Sequence, residues 1–148
     1  MREVSGSTWV FQLMIIFILI FACFLTLVIN YSKAYRVKNE MLSIIEEYEG
    51  ITPTSNDIIN NLLRGEAYLT TGTCPVDWYG VKISDGSRQE SDGKTNYSYC
   101  YTEKRTPDNR IYYSIIVFYK FNLPFLGELM TFRVEGTTES FIGSSNRY

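Results

Sequence analysis

The sequence predicts an α+β fold: a long N-terminal helix, transmembrane in its first half and amphipathic in its second, packed on a small antiparallel β-sheet. Three observations carry this. An apolar run, WVFQLMIIFILIFACFLTLVI, fills Trp9–Ile29 without a charge. Neither Pro nor Gly then intervenes before Gly50, and the residues between carry a helical apolar stripe. Past residue 80 the apolar residues alternate, and Asp-Gly and Pro-Asp-Asn turn formers fill the gaps.

Residues 1–8 read as an N-terminal tail or a short leader. Residues 9–31 read as a transmembrane helix, since about 20 apolar residues span a hydrocarbon core. Only Gln12 and Thr26 are polar within the run, and Trp9 and Tyr31 stand at its ends, where amphipathic rings favour the headgroup level. A cleaved secretory signal is the competing reading. The run is longer than a typical signal's apolar region, and no A-x-A site follows it.

Residues 32–50 read as an amphipathic continuation. Val37, Met41, Ile44, Ile45 and Tyr48 fall on one helical face and form the expected packing surface. Lys38, Asn39, Ser43, Glu46, Glu47 and Glu49 occupy the rest, and Gly50 is the expected C′ stop. The simplest reading is one continuous helix of about 40 residues, about 60 Å long. A bend near Asn30 that divides it in two is the alternative.

Residues 51–142 read as one extracytoplasmic α+β domain. Pro53 with Thr54 or Ser55 starts a short helix over Asn56–Arg64, with Ile58, Ile59, Leu62 and Leu63 as its stripe and Gly65 as its end. Strands are expected at Val81–Ser84, Tyr97–Thr102, Ile111–Phe121 and from Met130 to Phe141, in an antiparallel meander of about four strands. In the third, Ile111, Tyr113, Ile115, Val117, Tyr119 and Phe121 form one apolar face, and Tyr112, Ser114, Ile116, Phe118 and Lys120 a mixed one. Turns are expected over Ser84–Lys94 and Lys104–Arg110, and the segment Asn122–Leu129 is expected to interrupt the strands. Residues 143–148 read as a flexible tail.

The chain has 148 residues, a formal net charge of −2 and no histidine. The charge gives no support for nucleic acid as a partner. Without histidine there is no Ser-His-Asp triad and no ordinary general base at neutral pH. Carboxylate chemistry would have to use Asp77, Asp85, Glu90 or Asp92, most of which sit in turn sequences where Asp serves local hydrogen bonds. No enzyme activity, cofactor or metal is expected.

Cys23 lies in the apolar run and reads as a small apolar filler. Cys74 and Cys100 flank a turn-rich loop in one domain, with no C-x-x-C and no further ligand, so a zinc site lacks parts. A disulfide and two buried thiols remain open, with the disulfide the expectation for an even pair in a small β domain beside a membrane segment. It would stabilise the domain by roughly 3–4 kcal/mol. A disulfide needs an oxidising compartment, which puts the N-terminus in the cytoplasm and the C-terminal domain outside in a single-pass topology. Lys33, Arg36 and Lys38, just past the span, argue the other way through the positive-inside rule.

A hydrophobic helix running into YSKAYRVKNEMLSIIEEYEG, with a late VFYKFNLPFLGELMTFRVEG, resembles the TadE-like minor pseudopilins of tight-adherence (Tad) pilus systems. The resemblance covers most of the chain in layout and implies a pilin-like fold. Its partners would be the lipid bilayer and other pilin-like or assembly-platform subunits. Members of the type IV class carry a short basic leader ending in Gly, and MREVSG, with a cut between Gly6 and Ser7, is the candidate for one here. The fifth residue after that point is Phe11, where the pattern has Glu, so either no prepilin peptidase acts or the pairing register differs. Gly6 as part of a flexible tail is the favoured reading. The expected role is that of a non-enzymatic membrane-anchored subunit in the assembly of a pilus or secretion-type filament. The alternative is a membrane-tethered extracellular binding module.

Overall fold

A computed structural model describes residues 2–65, 70–123 and 127–142. One unbroken helix, α1, runs from Arg2 to Glu47 over 46 residues, about 70 Å at ~1.5 Å per residue. There is no bend at Asn30, because nothing between Trp9 and Glu47 removes a backbone donor or frees the backbone. The helix also extends back through Gly6 and Ser7, so the segment read as a tail is helical from Arg2. The segment 143–148, expected as a flexible tail, lies outside the described residues.

The C-terminus of α1 closes in a Schellman arrangement. The Gly50 N–H donates to the Ile45 carbonyl at 2.9 Å, and the left-handed C′ position falls on Glu49 (φ 50°) with Gly50 one residue later (φ 142°). The stop is therefore displaced by one residue from the expected C′ glycine. A side chain at Gly50 would meet the Tyr113 hydroxyl at 3.1 Å.

Helix α2 (Pro53–Gly65) starts earlier than the expected Asn56, because its cap is Thr52. The Thr52 Oγ1 accepts from the Ser55 N–H at 3.1 Å, and the Ser55 Oγ accepts from the Thr52 N–H at 2.8 Å. This reciprocal box satisfies two orphan donors, and Pro53 fills the first helical position, where its missing N–H costs nothing.

Seven strands follow: β1 (Gly72–Thr73), β2 (Tyr79–Val81), β3 (Arg88–Glu90), β4 (Asn96–Tyr97), β5 (Tyr99–Arg105), β6 (Ile111–Leu123) and β7 (Gly127–Thr137). Five form one antiparallel sheet in the order β3-β2-β5-β6-β7, and β1 pairs with β4 in a separate ribbon. This exceeds the four strands expected. The expected strand Val81–Ser84 instead occupies Tyr79–Val81, and Lys82 begins the turn into β3. β3 lies inside the expected turn, an exposed edge strand with no apolar alternation to betray it. Of the expected interruption at Asn122–Leu129, Asn122, Leu123 and Gly127–Leu129 are strand residues, with Leu123 paired to Gly127, and residues 124–126 lie outside the described residues.

The sheet is covered on both faces. On one, Ala34, Val37, Met41 and Ile45 of α1 and Ile59 and Leu63 of α2 pack against Val81, Tyr99, Tyr101, Ile115 and Val117. On the other, Cys74, Tyr97, Cys100, Ile116 and Phe118 form a second cluster with Trp78 at its flank. The β1–β4 ribbon is thereby held on the face opposite the helices.

Two glycines make this second layer possible. A Cβ at Gly80 would lie 2.2 Å from the Tyr97 ring, and one at Gly72 would lie 2.4 Å from the Phe118 ring. Each ring rests directly on glycine backbone, and both aromatic residues are buried. Gly80→Ala is expected to displace Tyr97 and cost roughly 1–3 kcal/mol by overpacking. A shift of the denaturant midpoint measures this, and a midpoint unchanged from wild type would rule the contact out as a constraint.

Candidate functional site: the helix face, the disulfide and the aromatic collar

The face of α1 predicted from sequence is mostly the one buried. Val37, Met41 and Ile45 are fully buried, while Ile44 and Tyr48 are half-buried at its flank. Two members were missed. Ala34 is fully buried, and Lys38, expected among the solvated residues, is 8% exposed. The cause lies across the interface. Gly136 of β7 has no side chain, and the Lys38 stem fills that space, its Cδ 2.7 Å from where a Cβ at Gly136 would sit. The ammonium emerges over the Tyr35 ring, 4.2 Å from its centroid, as a long basic side chain does when its stem is apolar cover.

Cys74 and Cys100 are joined, with sulfurs 2.04 Å apart and Cα atoms 5.7 Å apart. Cys100 stands between Tyr99 and Tyr101 on β5, and alternation points it to the face opposite the helices. The bond therefore ties the ribbon layer to the central sheet. The Ser91 hydroxyl donates to the Cys74 carbonyl at 3.0 Å and holds the same loop. Cys23, the free thiol, is partly shielded.

The candidate carboxylates do not converge. Asp85 accepts from the Ser87 N–H at 2.9 Å. Asp92 accepts from the N–H groups of Lys94 and Thr95 at 2.9 and 2.8 Å. In each case these bonds to the charged form hold the carboxyl below its ordinary value. Asp77 holds a left-handed turn position (φ 66°), and Glu90 lies exposed on β3. Among the described residues no group of three or more His, Cys, Asp or Glu is placed to hold a metal ion.

The region sequence reading did not find lies where α1 leaves its apolar half. Tyr31 packs edge-on against Tyr119 of β6 (6.1 Å) and stacks with Tyr35 (6.3 Å), and Tyr119 stacks on Phe132 of β7 (5.3 Å). Lys120 and Arg133 border an open cleft on the other face of the same strands. No periodicity signals this collar, because its members come from three elements far apart in the chain. From Trp9 to Tyr31 the side chains of α1 are exposed apart from Cys23, Thr26 and Asn30. The helix is long and apolar enough to cross a membrane.

Further along the helix interface, the Tyr99 hydroxyl donates to Asn56 Oδ1 at 2.6 Å. Burial pushes the phenols of Tyr99 and Tyr101 well above the ordinary tyrosine value.

No family model, curated protein or solved structure matches the chain.

Two outcomes follow from this geometry. Replacing both Cys74 and Cys100 by Ser is expected to lower stability by roughly 3–4 kcal/mol, read from denaturant unfolding with and without reductant. Equal stability of the oxidised and reduced wild type would remove the bond's structural role. The two buried phenols hold their protons more tightly folded than unfolded. Their contribution is therefore complete below about pH 10, the unfolded value, and is lost as pH climbs above it. Absorbance at 295 nm should show tyrosines that ionise only as near-ultraviolet circular dichroism collapses. Full ionisation with the native dichroism intact would contradict this.

Proposed function

We propose that this chain is a membrane-anchored, pilin-like assembly subunit that works without catalysis. The observation that carries the reading is α1 itself: one unbroken helix whose first half is exposed and apolar and whose second half is the spine of the folded domain. In the bilayer the exposed half is solvated by lipid. In a filament, equivalent helices would pack against one another and replace lipid by helix contacts. The resemblance to TadE-like pseudopilins supports the same reading.

We further propose that the N-terminus is cytoplasmic and the sheet domain extracytoplasmic. The Cys74–Cys100 bond supports this orientation, since such bonds persist in oxidising compartments. Lys33 and Arg36 weigh against it under the positive-inside rule, but Arg36 pairs with Glu40 at 3.3 Å and Lys38 is committed to the sheet. A tethered binding module would join its domain to the span through a flexible linker, whereas here the helix passes directly from one to the other.

Co-expression with pilus-assembly components should deliver the protein to sheared filaments or to a complex with those components, and deletion of residues 9–29 should abolish this. Retention of all partner binding by the released domain would support the tethered-module reading instead. In intact cells, a cysteine placed at exposed Asn109 should react with an impermeant thiol reagent. Reaction only after lysis would reverse the orientation.

A further inference from the structure

The sheet does not stop where the span begins. Tyr119 touches Tyr31, whereas Tyr113 lies against Gly50 at the far end of the helix. β6 therefore runs antiparallel to α1, toward the apolar half. β7 returns the other way, with Phe132 beside Tyr119, Gly136 against Lys38 and Leu42, and the Glu139 N–H donating to Glu46 Oε1 at 2.9 Å. Past Tyr119, β6 continues to Leu123, about 13 Å further at ~3.3 Å per residue. Each headgroup layer is only about 5–8 Å deep. If Tyr31 and Tyr119 stand at the outer edge of that layer, the paired strands cross it and their end passes its inner boundary by about 5–8 Å.

A second, independent observation agrees. Cys23, Thr26 and Asn30 are partly shielded while their neighbours from Trp9 to Tyr31 are exposed. They continue the stripe of Ala34, Val37, Met41 and Ile45, the side of α1 on which the sheet lies. From Tyr31 back to Cys23 the helix covers about 12 Å, the depth that β6 covers past Tyr119.

We propose that the membrane-proximal end of the β6–β7 ribbon is a lipid seat. Tyr31, Tyr35, Tyr119 and Phe132 would lie in the headgroup layer, with Lys120 and Arg133 meeting lipid phosphates on the opposite face of the ribbon. Aromatic rings with an apolar body favour that layer, and basic side chains near the surface gain from anionic lipid. The depth is limited by backbone chemistry. β5 begins at Tyr99, opposite Val117, so the sheet narrows here to two strands whose outer N–H and C=O groups need water; the hydrocarbon core does not supply it, so all but the end of the ribbon stays in the headgroup layer. The seat fixes the domain's height and tilt on the bilayer, and it holds whether or not the chain enters a filament.

The test uses the full chain in vesicles with the Cys74–Cys100 bond intact. In a Cys23→Ala background, Thr131→Cys or Asn109→Cys is labelled with the fluorophore NBD without reductant. The vesicles are phosphatidylcholine, with or without phosphatidylglycerol, and contain lipid spin-labelled near the top of the acyl chain. The label at position 131 should be quenched several-fold more than the label at 109, and more strongly with phosphatidylglycerol present. Tyr119→Ser with Phe132→Ser should abolish that difference while near-ultraviolet dichroism shows the domain still folded. Quenching at 131 no greater than at 109 overturns the seat. Quenching at 131 indifferent to phosphatidylglycerol overturns the role of Lys120 and Arg133. A difference that survives the double Ser variant overturns that of the aromatic residues.

Discussion

The backbone ladder of α1 runs unbroken from the residues suited to lipid into those that carry the sheet, and the other layers are arranged around it. A helix satisfies its own N–H and C=O groups, so it can pass from hydrocarbon to a folded domain without leaving an orphaned polar group at the boundary. What changes at the boundary is only the solvent of its side chains. Up to Ile29 most are exposed and apolar. From Ala34 onward one face is sealed by β6, β7 and α2. Because the same hydrogen-bond ladder runs through both regions, the direction of the apolar half is coupled to that of the domain.

That continuity places a demand on the sheet. One face must match a helix that carries Lys38 in its buried stripe, and the match is made by the missing side chain of Gly136. The other face cannot be left bare, because Ile116 and Phe118 are apolar and belong to the long interior strand β6. Among the described residues there are two helices, and both pack on the first face. The domain covers the other face instead with a two-stranded ribbon, which could not hold its position by so few hydrogen bonds alone. The Cys74–Cys100 bond and the bare backbones of Gly72 and Gly80 under aromatic rings secure it. The cross-link therefore acts on packing.

The same arrangement bears on the basic residues past the span. Read along the chain, Lys33, Arg36 and Lys38 are a charge count. In the fold, Lys38 is an interface residue whose ammonium sits over Tyr35, and Arg36 pairs along its own helix with Glu40. Lys38 and Arg36 therefore have structural roles that a charge count does not record.

The sequence by itself determined the long helix, its suitability for a membrane, most of its packing face and the long interior strand β6. These depend on local periodicity and on the absence of Pro and Gly, which a chain carries wherever it folds. It also narrowed Cys74 and Cys100 to a bond or two buried thiols, by lacking every other partner. Only the tertiary structure decided that they are joined, that Lys38 is inside, that Arg88–Glu90 is a strand, that Gly80 lies within a strand rather than before one, and that Tyr31, Tyr119 and Phe132 meet. The reason is common to all five. Each depends on what lies across the interface, such as a glycine opposite a lysine, a ring over a glycine, or an edge supplied by a neighbouring strand. Residues distant in the chain provide those partners, and local pattern carries no record of them.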